Sequence, residues 1–169
     1  EDEVYAAAER DGFTWSVHRP HTLIGHAVGN LMNMGITLAV NASICKVEGL
    51  PMVWLGSEAQ WNGVSDVTDV SVLAKQLVWA STTDTAKNQA FNVINGDVFR
   101  WKWLWEEIAN YFEIPFEGYN GGVRPLEPVL LTKEKVWQTI VQEYELQPNA
   151  LNTLVSPWHT DADLGRPIE

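Results

Sequence analysis

One cysteine in 169 residues, Cys45, leaves no partner for an internal disulfide. That fits a reducing, cytoplasmic setting. Basic residues are scarce as well: 11 Lys and Arg stand against 22 Asp and Glu, for a formal net charge of −11. Nucleic acids and anionic membrane surfaces are held by basic footprints, so both are set aside as partners. No apolar run approaches the ~20 residues that a membrane-spanning helix needs. Several catalytic signatures are missing too. There is no Gly-x-Ser-x-Gly, no Gly-x-Gly-x-x-Gly around Gly25 and Gly29, no Gly-Lys-Ser/Thr and no Tyr-x-x-x-Lys. Cys45 falls within a helical apolar pattern and reads as a small buried hydrophobe rather than a nucleophile. The chain therefore carries no evident acid, base or nucleophile constellation of its own.

What is present describes a globular chain with a real core. Hydrophobic residues make up 46% and charged residues 20%. The organising stretch is Phe13 to Gly25. Phe13, Trp15 and Val17 alternate with Thr14, Ser16 and His18, which predicts a half-covered strand over 13–18 that stops near Pro20. Thr22-Leu23-Ile24 then leads to Gly25 and a long apolar helix. A strand, an abrupt loop and a buried helix form the arrangement in which open α/β sheets hold ligands, so this stretch is expected to be one wall of a pocket.

Elsewhere the pattern alternates between helix and strand, which favours an α/β fold. Residues 1–11 read as the end of a helix stopped at Asp11-Gly12. Leu31, Met34, Leu38, Ala42 and Cys45 step by three and four, predicting a buried helix over 30–46. Short strands are expected at Met52–Leu55, Gly63–Val67 and Phe91–Ile94, with a loop or helical turn at Ser57–Trp61. Thr68 or Asp69 caps a helix whose inner stripe is Val70, Leu73, Leu77 and Ala80. Asp97 is expected to cap a helix running to Phe112, with Trp101, Leu104, Trp105, Ile108 and Phe112 inward. Glycines and prolines between 113 and 128 predict an irregular loop. Lys133–Tyr144 forms an amphipathic helix with Trp137, Ile140, Val141 and Tyr144 inward, and Pro148 starts a shorter one. The tail from Ser156 has no period. The strands are too few to complete a doubly wound sheet, and the chain opens Glu-Asp-Glu without an initiator Met. Both lead us to expect a piece of a longer protein.

Two clusters invite function. His18, His21 and His26 gather around Arg19, but their spacing matches no metal-ligand motif, and strand-end histidines commonly just hydrogen-bond. The 9 Trp residues suggest sugar stacking, yet Trp15, Trp101, Trp105 and Trp137 fall on inner faces. Trp54 and Trp61 stand apart. If both were exposed, they would favour a non-catalytic module that grips a hydrophobic or sugar ligand.

Three blocks carry a family likeness: Phe13-Thr-Trp-Ser-Val-His-Arg-Pro20, Ile44-Cys-Lys-Val-Glu-Gly-Leu-Pro51 and Lys87-Asn-Gln-Ala-Phe-Asn-Val-Ile-Asn-Gly-Asp-Val-Phe99. They resemble the progesterone 5β-reductase/iridoid synthase-like group of the short-chain dehydrogenases/reductases, whose bacterial relatives are labelled NAD-dependent epimerase/dehydratase-like. The resemblance implies the C-terminal portion of an extended Rossmann reductase over residues 1–169. This would comprise the last Rossmann strands and a small, mostly helical substrate region, with the N-terminal cofactor half absent. It implies NADP(H) as cofactor, a small-molecule enone or carbonyl substrate, and a homodimer formed through the helix ending at residues 1–11. Glu1-Asp2 look like the end of the group's Asn-Phe-Tyr-Tyr-x-x-Glu-Asp motif. The catalytic tyrosine, its lysine and the Gly-rich phosphate loop would then lie upstream, and this chain alone would be inactive. Pro20, Leu23, Asn30, Leu31 and Met32 match cofactor-contacting positions, the last three at the start of a helix. Thr22, Met32 and Ser65 match substrate-pocket positions, and Trp61 is near enough to join them. Thr22 stands where the group commonly has Asn. A sugar epimerase or dehydratase of the same superfamily is the other enzymatic reading.

Overall fold

The helical and extended periods resolve into seventeen α and β elements among the described residues, which in this computed structural model are 1–27, 29, 30 and 32–166. In chain order the first are α1 (Asp2–Asp11), β1 (Ser16–Pro20), β2 (Thr22–Ile24), α2 (Met34–Glu48), β3 (Met52–Val53) and α3 (Glu58–Asn62). Then follow β4 (Val64–Ser65), β5 (Val67–Asp69), α4 (Val70–Thr82), β6 (Gln89–Val93), β7 (Phe99–Arg100) and α5 (Trp101–Phe112). The last are β8 (Phe116–Glu117), α6 (Glu127–Leu130), α7 (Glu134–Glu143), α8 (Leu151–Leu154) and α9 (Pro157–Gly165). The chain divides into two units, Glu1–Gly25 with Asp66–Asp97, and His26–Ser65 with Val98–Glu169.

The first unit is built on parallel pairs. β1 pairs with β6 from Ser16↔Gln89 to Pro20↔Val93, and β2 pairs with β5 from Thr22↔Val67 to Ile24↔Asp69. The strand predicted over 13–18 in fact starts at Ser16, and Phe13 is exposed. Pro20 closes β1 as expected, because proline has no N–H for the ladder. β5 runs straight into α4, where the Asp69 carboxylate accepts a hydrogen bond from the Ser71 amide at 2.7 Å. Thr68, fully buried, ties three segments together. Its hydroxyl donates to the Val93 carbonyl at 2.6 Å and accepts from the His21 amide at 3.2 Å. The predicted inner stripe of α4 is corrected here. Only Ala80 is buried, while Val70, Leu77, Val78 and Trp79 are exposed. The sequence signal was hydrophobicity on a helical period, and the first unit supplies no surface that covers it.

The second unit is mostly helical and holds the core. α2, α5 and α7 contribute Met34, Leu38, Trp105, Trp137 and Ile140, joined by Leu151 and Leu164 from α8 and α9. Trp105 and Trp137 are buried without orphaning their indole N–H groups, which donate to the carbonyls of Met52 and Asn149 at 3.0 Å each. β3 pairs with β8 in parallel and β4 with β7 antiparallel.

Five further expectations are corrected. The stretch 113–128 contains β8, a strand of two residues, which is too short to show an alternation. Gly63–Val67 is two strands, β4 and β5, and they belong to different units. Asp97 caps nothing in α5, because β7 intervenes and Arg100 takes the N-cap position. Tyr144, at the C-cap of α7, points out at 58% exposure. The tail forms α9, which buries Pro157, Thr160 and Leu164.

Candidate functional site

In the first unit the candidate residues follow the carboxyl end of β1. Pro20 closes that strand, His21 turns the chain, and Thr22 and Leu23 open β2. The turn is held from both sides. The His21 amide is bound by Thr68, and its ring Nδ1 lies 2.8 Å from the Asp66 carbonyl oxygen and 3.1 Å from the Asp66 carboxylate. Pro20 and Thr22 are half-buried, and Leu23 is 39% exposed, an outward apolar side chain beside a fixed turn. Arg19 is engaged elsewhere, since its guanidinium forms a fork on the Glu1 carboxylate, which also accepts from the Tyr5 hydroxyl at 3.0 Å. That pairing lowers the Glu1 carboxyl to about 2, the Arg19 hydrogen bonds being the largest cause. His18 is likewise occupied locally: its Nε2 is 3.1 Å from the Ser16 hydroxyl and its ring stacks on Phe91.

In the second unit Asn30 and Met32 come before the long helix rather than at its start. The helix begins at Met34 under Asn33, whose side chain accepts from the Ile36 amide at 3.2 Å. Leu31 lies outside the described residues. Asn30 bends the chain by accepting the Met32 amide on its side-chain oxygen at 3.0 Å, and Met32 is left 56% exposed. Asparagine as a helix cap was the sequence signal that the apolar run Leu31-Met32 obscured. Trp61 sits on α3, half-buried, with its indole edge so close to Gly118 that an added Cβ there would lie 2.7 Å away. Ser65, also half-buried, pairs with Phe99 between β4 and β7.

Trp54 decides against the stacking module. It is 1% exposed, lies edge-on to Trp105 at 5.0 Å and is tilted 52° from Trp61. Its indole N–H donates to the Ser57 carbonyl. It is a core residue, and no coplanar pair of exposed indoles exists at positions 54 and 61. Cys45 is half-buried, and burial raises its thiol above the ordinary range, with the Glu48 carboxylate adding to the effect.

No protein-family model matches the chain. Its sequence is 42% identical over 167 residues to an (S)-8-oxocitronellyl enol synthase of Antirrhinum majus, covering 95% of this chain and 42% of that protein. It is 40% identical over 153 residues to a 3-oxo-Δ(4,5)-steroid 5β-reductase of Arabidopsis thaliana, covering 90% of this chain and 39% of that protein. The chain is a relative of the progesterone 5β-reductase/iridoid synthase group. It spans about two fifths of the length of these curated relatives. Among solved structures, a UDP-N-acetylglucosamine 4-epimerase of Methanobrevibacter ruminantium superposes with a TM-score of 0.54 at 16% identity, over 96% of this chain and 51% of that one. The UDP-glucose 4-epimerase of Thermus thermophilus, solved with NAD, gives 0.52 at 14% identity, over 94% and 50%. These likenesses establish an α/β fold of the Rossmann-like epimerase and short-chain dehydrogenase type.

Against that kinship, the residues present fit one end of a dinucleotide better than the other. In the first unit Leu23 offers an outward apolar surface, and in the second Met32 offers another and Asn30 a side-chain amide; each by itself is the kind of group that suits a nicotinamide ring or its carboxamide rather than a phosphate. A phosphate end needs cations or a run of free backbone amides. Here the nearest cation in sequence, Arg19, is committed to Glu1.

Proposed function

We propose that this chain is the C-terminal portion of an NADP(H)-dependent short-chain reductase that transfers hydride to an enone C=C bond or to a carbonyl. The observation that carries this reading is the 42% identity spread over 95% of the chain with an enol synthase, together with 40% to a steroid 5β-reductase whose name specifies an enone. When bound, the nicotinamide supplies the hydride. This chain's own residues bind and orient. In the first unit, Pro20 and Leu23 would present apolar contact to the cofactor and Thr22 a hydroxyl to the substrate carbonyl. In the second, Asn30 and Met32 would contact the cofactor, Leu31 joining them by resemblance, while Met32, Trp61 and Ser65 would line the substrate. The tyrosine that steadies the developing oxyanion, its lysine and the phosphate cradle would lie in the part of the protein outside this chain. A homodimer and a cytoplasmic setting belong to the same reading. The latter is supported by a single half-buried cysteine, with no partner for a disulfide.

The test is NADPH oxidation by the full-length protein, followed at the nicotinamide absorbance, with a cyclic enone, an aldehyde and a ketone in parallel. Consumption with at least one of them, and a lower KM for NADPH than for NADH, is expected. No consumption with any of them would overturn the proposal. The chain of residues 1–169 alone should show no micromolar NADPH affinity by calorimetry, and such affinity would refute the division of labour proposed here.

A further inference from the structure

The segment from Ala150 to Arg166, whose part from Ser156 onward showed no period in the sequence, reaches the two places in the second unit where candidate ligand contacts lie. At the first, the Ser156 hydroxyl accepts a hydrogen bond from the Asn33 amide at 2.9 Å. The Ser156 amide donates to the Thr37 hydroxyl at 2.9 Å, and that hydroxyl donates in turn to the Asn33 carbonyl at 2.7 Å. All three residues are at most 3% exposed. The Asn33 amide belongs to the planar peptide unit that it shares with Met32, so Ser156 fixes the plane from which the Met32 side chain departs. The other end of the same loop is held where the Gly29 amide donates to the Thr153 carbonyl at 3.3 Å. At the second place, the Ser57 amide and hydroxyl donate to the carbonyls of Leu164 and Arg166, at 2.9 and 2.8 Å. Ser57 caps α3, the helix that carries Trp61.

Apolar residues at positions 37 and 156 would fill the same core without the cost of burying polar groups. What the hydroxyls add is direction. We propose that residues 150–166 are a buttress for the ligand site, with Thr37 and Ser156 as positioning residues that set where Asn30 and Met32 meet the cofactor. This rests on the reductase reading above.

The experiment uses the full-length protein with Thr37→Val, Thr37→Ser and Ser156→Ala. Valine keeps the shape of threonine and removes the hydroxyl, whereas serine keeps the hydroxyl. Losing the two hydrogen bonds of the Thr37 hydroxyl in Thr37→Val, or the one that the Ser156 hydroxyl accepts in Ser156→Ala, is expected to raise the KM for NADPH about tenfold, with kcat changed less than about twofold. Thr37→Ser should restore the wild-type KM. A general loss of stability would not produce that split, because KM reports only the folded fraction. Hydrogen exchange of the peptide containing residues 29–33, measured without cofactor, should accelerate in Thr37→Val and Ser156→Ala and stay protected in Thr37→Ser. Unchanged exchange in both hydroxyl-deleting variants overturns the buttress. So does accelerated exchange with an unchanged KM. If the wild-type protein neither binds nor oxidises NADPH, the reductase reading fails, and the exchange arm still decides whether the tail pins the loop. Ser156→Ala acts from the opposite side of the network and keeps the test decisive should Thr37→Val not fold.

Discussion

Gly56→Ala tests the packing of the tail at a single atom. An added Cβ at Gly56 would stand 2.2 Å from the Leu164 carbonyl oxygen, 2.7 Å from its carbon and 2.8 Å from the Trp54 ring. Ordinary contact begins near ~3.5 Å, so more than an ångström must be found. Neither side yields easily. Leu164 is 1% exposed and Trp54 is wedged among Trp61, Trp101 and Trp105. Overpacking of this kind costs about 1–3 kcal/mol. Moving the Leu164 carbonyl also weakens the Ser57 amide hydrogen bond at 2.9 Å, worth about 0.5–1.5 kcal/mol more. The expected loss is therefore about 1.5–4.5 kcal/mol. With a urea m-value of about 2 kcal/mol per molar, the unfolding midpoint should fall by about 1–2 M.

The assay is equilibrium urea unfolding followed by far-UV ellipticity, with Gly122→Ala as the matched control. Gly122 has nothing within 4 Å of an added Cβ and no positive φ. Alanine there should be neutral or stabilising by up to about 1 kcal/mol, through the unfolded chain. If Gly56→Ala unfolds within about 0.5 kcal/mol of wild type, Gly56 does not abut Leu164, and the docking of α9 described above is wrong.

Four other outcomes are expected. Trp105→Phe should cost about 2–4 kcal/mol in the same assay, because it removes the indole hydrogen bond to the Met52 carbonyl, leaves space where the larger ring was buried and weakens the edge contact with Trp54, while Trp103→Phe, on the exposed face of α5, should stay within about 0.5. Thr68→Val should cost about 1–3 kcal/mol, since the Val93 carbonyl and the His21 amide lose their shared partner, and an unchanged midpoint would break the account of the β1–β2 turn. Cys45 should react with a disulfide reagent more slowly than an unstructured thiol at pH 8, and the rate should climb only as pH passes the ordinary thiol range, because burial holds the thiol protonated; a reaction at the free-thiol rate would refute this. The Glu1 carboxyl, held down to about 2 by Arg19, favours the folded pairing at any pH above the ordinary carboxylate value and loses it as pH falls toward 2; in Arg19→Met its titration by NMR should return toward 4.5.

The helices α2, α5 and α7 were legible because each buries a stripe against the core of the second unit, whereas α4, with the same kind of period, buries only Ala80. Trp101, Trp105 and Trp137 fall inside where the spacing put them, and Gly12 and Gly49 end their helices in the left-handed conformation that glycine allows. The short elements were not. A two-residue strand such as Phe116–Glu117 has no period to read, and its partner Met52–Val53 lies more than sixty residues away, at a separation no local pattern reports. α9 did carry a step of three then four, Pro157 to Thr160 to Leu164, but two of its three inward residues are a proline and a threonine, which count against a hydrophobic stripe.

The candidate site shows the same limit from the other direction. Block likeness placed Leu23, Asn30 and Met32 near a cofactor, and the structure makes Leu23 and Met32 outward apolar groups beside well-held turns. The apolar period put Asn30 and Met32 at a helix start, and the Asn33 cap moves them off it. That shift changes the chemistry they can offer. A helix start offers a ligand its free backbone amides, whereas a loop bent by Asn30 and pinned by Ser156 offers the exposed Met32 side chain. A loop is defined only by what holds it, and Ser156, which holds this one, lies 123 residues beyond Asn33. That is why a stretch with no readable hydrophobic stripe, Ser156 to Arg166, bears directly on where Met32 points.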